Sequence, residues 1–298
     1  MILIVGATGV LGGMITRQLL AQGKAVRILI RQNSPSVALA PQGMATAAQA
    51  LIDAGAQPVD GDLKDPASLA AACVGIDTII TTANAAMREG EDTFDSVDLN
   101  GTKNLIDAAL AAGVRHFVYT SAFGSAPNHP NPLFDAKGQC EVYLKASGLT
   151  YTILKPGPLM EMWLGVIIGI PLRAGQPVTL VGEGARKQAF AAMTDVAAYA
   201  VAALDTPAAA NQEILIAGTP PYSWTEAVTA VERVVGQPIP IRYVQPGEAI
   251  PLVPPAMGGM VSALEMADSV INMGETAATY GIAPTSVDVF ARQFFGKR

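Results

Sequence analysis

Charge is scarce in this chain. Asp, Glu, Lys and Arg make up 15% of its 298 residues and hydrophobic residues 50%, so the composition that keeps a segment disordered is missing. The net charge is −6 and no cluster of Lys and Arg occurs, which removes the electrostatic footprint of a nucleic-acid binder. Cysteine is nearly absent. Cys73 and Cys140 share no motif spacing, and the first residues run straight into an apolar strand pattern without a signal peptide. A disulfide framework is therefore not expected, and a cytoplasmic location is. Long apolar runs are missing too. The most membrane-like stretch, 162–170, falls well short of the ~20 residues of a spanning helix and is followed by Pro171. It reads as a buried wall or a lid. Only two histidines occur: His116, at the start of a strand, reads as structural, and His129, in a Pro-rich loop, reads as facing a pocket or solvent. Asp92, Asp95 and Asp98 surround a helix start and suit its dipole, not a metal. No metal-ligand spacing, nucleophile–base motif or long repeat is found.

What is present is a rhythm. At Gly23, Gly55, Gly113 and Gly148 an amphipathic segment ends in glycine and a short β-rich run follows. Glycine takes the left-handed conformation that ends a helix without a Cβ penalty. Repeated helix–Gly–strand junctions signal βαβ units and a parallel sheet. The expected strands are 2–5, 25–30, 57–59, 78–82, 116–119 and 150–154, several of them continuous apolar runs, as strands buried on both faces should be. The expected helices include one carrying Leu11, Met14, Ile15, Gln18 and Leu19, then 66–74 and 93–112. The fold class is therefore α/β with a doubly wound parallel sheet. After Lys155 the texture turns Pro-rich and irregular, yet 195–204 reads as a helix and 213–216 as a strand that return the chain to the sheet. The expected division is a nucleotide-binding domain from 1–155 plus about 190–220, with a smaller, interleaved α+β lobe from about 156–189 and 221–298.

Gly6, Gly9 and Gly12 follow the first strand and open the first helix. In that context the spacing is a dinucleotide fingerprint: Gly6 for the tight turn, Gly9 for close approach to a pyrophosphate, Gly12 for helix packing. The helix N-terminus supplies free N–H groups and a positive dipole end. At the end of the second strand an NAD site usually carries Asp or Glu. Here Arg31 stands there, and a guanidinium attracts a 2′-phosphate with a charge-assisted bond of about 1.5–3 kcal/mol. Asn33 and Ser34 offer further donors, so NADP(H) is the expected cofactor. Asp62 and Leu63 follow the third strand, where they border an adenine or simply make a turn and helix cap. Thr82, Ala83 and Asn84 end the fourth, at the mouth of the crevice where open α/β sheets bind ligands.

Together the stretches GATGVLG (6–12), GDLKD (61–65), NGTKNLIDAA (100–109), GVRHFVYTS (113–121), GLTYTILKPG (148–157) and TDVAAYAVAAL (194–204) resemble the NmrA-like branch of the atypical short-chain dehydrogenase/reductases. The resemblance implies a Rossmann domain whose Gly6, Thr8, Gly9, Val10, Leu11 and Gly12 seat the pyrophosphate, with Ser121 also near the cofactor. It implies that the loop Pro156, Gly157, Pro158 and Leu159 runs along the nicotinamide, with Gly157 bringing backbone to the carboxamide.

The chain also departs from the superfamily pattern. Tyr-x-x-x-Lys becomes Leu133-x-x-x-Lys137, and the usual catalytic serine place falls on Ala122. Some members of the branch use a lysine in this register as the catalytic residue. Lys137 thus has two readings, proton donor or holder of the ribose hydroxyls. Phe123, Met160, Met162 and Trp163 read as an apolar substrate wall, with the apolar stretch 251–266 a further candidate to close it. The expected activity is NADPH-dependent reduction of a small apolar carbonyl, quinone or activated alkene. The alternative is a non-enzymatic NADP(H) sensor that binds a partner protein through its C-terminal lobe. A monomer or homodimer without a membrane partner is expected.

Overall fold

The computed structural model describes residues 1–31, 48–86, 91–253 and 255–296. It divides into two compact units, Met1–Lys155 with Val196–Ile214, and Pro156–Asp195 with Leu215–Arg298.

The first unit is built on a sheet. Strands β1 (Ile2–Val5), β2 (Val26–Ile30), β3 (Gln57–Asp60), β4 (Thr78–Thr81), β5 (His116–Thr120), β6 (Thr150–Pro156) and β8 (Gln212–Ile216) stand in the order β3-β2-β1-β4-β5-β6-β8. Pairing is parallel from β3 through β6, with Ile4 opposite both Ile28 and Ile80. Chain direction across the sheet reverses between β1 and β4, the switch point that opens a crevice at their C-terminal ends. Leu3, Ile4, Ile28, Ile79, Ile80, Phe117 and Val118 are fully buried, which is why these strands read as unbroken apolar runs. The helices α1 (Val10–Ala21), α2 (Ala48–Asp53), α3 (Pro66–Ala72), α4 (Thr102–Ala111) and α5 (Pro132–Ala146) connect the strands. The junction glycines adopt the left-handed backbone expected of them, as at Gly23 (φ +70°) and Gly113 (φ +71°).

The helix expected over 93–112 begins differently. Phe94–Gly101 is π-helical and passes into α4 only at Thr102. Thr93 and Ser96 cap its start reciprocally. Of the three aspartates expected to serve its dipole, only Asp95 lies in the first turn. Asp98 is 1% exposed and accepts the Ala85 N–H at 2.9 Å, while Asp92 turns to Arg31 and Lys64. Burial and nearby cations, not the dipole, place those two.

The second unit holds a two-stranded parallel sheet of β7 (Val178–Val181) and β9 (Ile241–Val244). Its helices are α6 (Met160–Leu164), α7 (Ile170–Arg173), α8 (Met193–Ala202, whose later turns belong to the first unit), α9 (Trp224–Val235), α10 (Pro255–Leu264), α11 (Gly274–Tyr280) and α12 (Val287–Phe295). Trp224 is fully buried and meets Phe190 edge-on at 5.1 Å. The apolar run 162–170 forms a buried wall, with Val166, Ile167 and Ile168 at most 4% exposed. Among the described residues no helix is long and apolar enough to cross a membrane.

Candidate functional site

The glycine turn carries the first half of the site. Gly6 sits at φ +91°, and a Cβ at Gly12 would lie 2.2 Å from the Gly6 carbonyl oxygen. Only glycine lets α1 begin this close to β1. Gly9 caps α1 with no side-chain hydrogen bond among the described residues, so the first-turn N–H groups of Val10, Leu11 and Gly12 lack both helical and side-chain partners. Thr8 is half-buried beside them. From β4 across the switch point, Thr82 donates its N–H to the Val5 carbonyl at 2.9 Å, and Asn84 Nδ2 donates to the Thr82 carbonyl at 3.3 Å. Thr82, Ala83 and Asn84 are all half-buried there.

Arg31 follows β2 directly. Its Nη1 donates to Asp92 Oδ2 at 2.5 Å and lies 3.9 Å from Asp62 Oδ2, while Lys64 Nζ donates to Asp92 Oδ1 at 2.9 Å. Arg31 Nη2 is buried with no hydrogen-bond partner among the described residues. A buried donor in want of an acceptor, beside a helix start with unspent N–H groups, is what a phosphorylated dinucleotide would satisfy. The residues present therefore fit that cofactor. Asp62 also accepts the Lys64 N–H at 2.8 Å, and the cap of α3 is Asp65, so Asp62 shapes the turn ahead of the helix. Leu63 is buried, 2.8 Å from where a Cβ on Gly101 would stand. Asn33 and Ser34 lie outside the described residues.

The second half is a buried ionic group behind the C-terminal end of β5. Lys137, on α5, is 7% exposed; its Nζ donates to the Thr120 carbonyl at 2.9 Å and stands 5.3 Å from the centre of the Tyr119 ring. Burial pushes the ammonium below the usual lysine range, and the charges of Asp98 and Glu141 offset only part of that. Tyr119, on β5, stands beside Lys137. Its hydroxyl is buried, and burial with the neighbouring Cys140, Asp98 and Glu141 pushes it well above the ordinary phenol range. Leu133 is half-buried in the first turn of α5, two residues after the cap Asn131. Phe123 is also half-buried. His129 stacks on Phe134 at 5.1 Å.

Sequence reasoning missed what stands behind Lys137. Ser121 donates to Glu141 Oε1, and Lys155 Nζ donates to Glu141 Oε2 at 2.7 Å. Lys155 reaches Glu213 as well, at 3.2 Å. The Ser121 hydrogen is thus committed to Glu141, which leaves its oxygen as an acceptor only. Two signals were readable: a lysine inside an apolar strand, and a glutamate four residues after Lys137 on one helix face.

In the second unit, Pro158 and Leu159 are half-buried and Pro156 is buried. Gly157 donates its N–H to the Ile216 carbonyl at 2.9 Å, and a Cβ there would lie 1.9 Å from the Ala189 oxygen. Packing alone accounts for that glycine, and its N–H is already used. Met160 is fully buried, with its Cε 2.8 Å from the Cβ position of Gly218. It belongs to the core and not to an open wall, because a fully enclosed side chain offers a ligand no surface. Met162 is half-buried and Trp163 is 8% exposed. Of the stretch 251–266, Met257 and Val261 are buried and Met266 is 81% exposed. Glu161 accepts the Met193 N–H on both oxygens, each at 3.0 Å. Among the described residues no group of His, Cys, Asp and Glu could hold a metal.

Comparison with known proteins follows the same lines. The model of the NmrA-like family matches residues 1–291. The chain is 30% identical to an NAD(P)H azoreductase of Xenophilus azovorans over 95% of its own length and 87% of the relative's. It is 32% identical to a photosystem II assembly factor of Synechocystis sp. over 79% of itself and 68% of that protein. A crystal structure of an NADPH-dependent quinone oxidoreductase from Escherichia coli, complexed with NADPH, superposes with a TM-score of 0.75 at 22% identity, covering 99% of this chain and 100% of that one. This chain belongs to the NmrA-like family.

Proposed function

We propose that this protein is an NADPH-dependent reductase that delivers hydride to a small apolar acceptor, a carbonyl, quinone, activated alkene or azo compound, without the catalytic tyrosine of the wider superfamily. One observation carries the reading. A buried lysine, 7% exposed, is held among the described residues by one hydrogen bond to the end of β5, in the register where the superfamily keeps its ribose-holding lysine. The bond to Thr120 O uses one of three donors on Nζ, leaving two for ribose hydroxyls or for a proton. Its lowered proton affinity makes Nζ a better acid than a solvated lysine. The bound nicotinamide supplies the hydride, and the protein supplies position and a dry surround. The α1 N-terminus takes the pyrophosphate and Arg31 the 2′-phosphate. The azoreductase at 30% identity supports this class of acceptor.

Turnover in Lys137→Met is expected to fall by about 10²-fold or more while NADPH still binds. Unchanged turnover would remove Lys137 from the chemistry.

A second reading rests on the assembly-factor relative, 32% identical over 79% of this chain. A nucleotide sensor with a protein partner would bind NADPH yet oxidise none of it across a panel of quinones, enones and azo dyes. Steady NADPH oxidation with any of them decides against it.

A further inference from the structure

We propose that Asp92 sets the nucleotide preference of this site: it competes with a 2′-phosphate for Arg31, so that the protein uses NADH as well as NADPH. The proposal rests on the reading that a dinucleotide occupies the β1–α1 turn.

The arginine that would read a 2′-phosphate already carries a carboxylate. Arg31 Nη1 holds Asp92 Oδ2 at 2.5 Å, with Asp62 Oδ2 at 3.9 Å behind it. Asp92 is fixed in place, because its other oxygen accepts from Lys64 Nζ at 2.9 Å and its side chain is only 5% exposed. Burial alone would raise the Asp92 carboxyl, but the bonds from Lys64 and Arg31 outweigh it and keep the group ionised.

Among the described residues the two cations, Arg31 and Lys64, and the two carboxylates, Asp62 and Asp92, cancel. A 2′-phosphate brings a multiple negative charge to a guanidinium that already holds the Asp92 carboxylate. It can take the Nη2 face of the guanidinium, which has no hydrogen-bond partner among the described residues, but Asp92 then faces it across the same side chain. A 2′-hydroxyl meets no such opposition. It is neutral, and it can donate to a carboxylate, the contact that NAD sites use. The cluster thus holds the arginine of one specificity and the acids of the other.

The test is direct binding. Full-length protein is titrated with NADPH and with NADH by calorimetry at low and at physiological salt. The wild type is expected to bind both within about tenfold of each other. Asp92→Asn, which keeps the shape and removes the charge, is expected to tighten NADPH by about fivefold or more and leave NADH within about twofold, most clearly at low salt. Asp92→Glu should restore wild-type preference. Lys64→Met, which removes a positive charge from the same carboxylate, should weaken NADPH and spare NADH. If Asp92→Asn leaves NADPH affinity unchanged or weaker, Asp92 positions Arg31 and does not oppose the phosphate, and the proposal fails. A wild type that binds NADPH more than about a hundredfold tighter than NADH overturns it as well. Binding of neither nucleotide overturns the dinucleotide reading itself, and this proposal with it.

Discussion

Glu141 in the first unit and Glu161 in the second are equally buried, each 4% exposed, yet they are held in opposite ways. Glu141 has a cation, Lys155, at 2.7 Å and a hydroxyl from Ser121. Glu161 has backbone N–H groups as its partners among the described residues, that of Met193 shared by its two oxygens and its own. Its carboxyl is pushed up from an ordinary 4.5 to about 7, chiefly by burial, with Asp195 adding to the shift and the backbone bonds opposing it. Burial does not by itself decide whether a carboxylate stays charged. The partner does, and a backbone amide is a weaker partner than an ammonium.

Breaking the well-partnered side should cost most. Lys155→Met leaves the enclosed Glu141 without the ammonium at 2.7 Å, and the expected loss is roughly 3–5 kcal/mol of unfolding free energy. A shift in the urea midpoint measures it. Replacing both members by methionine should recover much of that loss, because two apolar groups no longer need desolvated charge. A double variant as unstable as the single one would show that Glu141 matters through Ser121 instead.

The poorly partnered side breaks with pH. The unfolded chain releases the Glu161 proton near its ordinary 4.5 and the folded protein keeps it to about 7, so between those values the folded state binds more protons. This group's contribution to stability therefore falls as pH rises through that window, by about 3 kcal/mol in all. Glu161→Gln keeps an acceptor for Met193 and removes the titration. The variant should gain on the wild type as pH climbs from 4.5 to 7 and hold a constant advantage above it. Parallel stability–pH curves for the two proteins would mean that Glu161 is solvated and ionised after all.

Much of the first unit was legible in the chain because its signals are local. A glycine at each helix end, an apolar run after it and three glycines after β1 all lie within one turn or strand of the feature they report. The ionic groups were not local. Arg31 meets Asp92 across 61 residues, and Lys155 meets Glu141 from a different element. Nothing in a run of sequence says which lysine reaches which acid. Met160 failed for a related reason. A methionine near a loop reads the same whether it lines a cleft or fills the core, and here Gly218, 58 positions away, leaves the space that encloses it.

The Arg31–Asp92–Lys64 group completes the series, since it has strong partners but stands nearer to water. Lys64 has a side chain 40% exposed and pairs with an Asp92 side chain only 5% exposed. The bond to Asp92 raises the Lys64 pKa, but so exposed an ammonium is screened by solvent and its pairing contributes little. Lys64→Met is expected to lower unfolding free energy by less than about 1 kcal/mol, because Arg31 still neutralises Asp92. Raising the salt concentration should shrink even that, whereas the loss in Lys155→Met should hardly respond, since a buried pair is screened much less. A Lys64→Met penalty as large and as salt-insensitive as that of Lys155→Met would make the nucleotide-end cluster a structural clamp. A small, salt-sensitive penalty is what a cluster free to exchange a carboxylate for a phosphate must show.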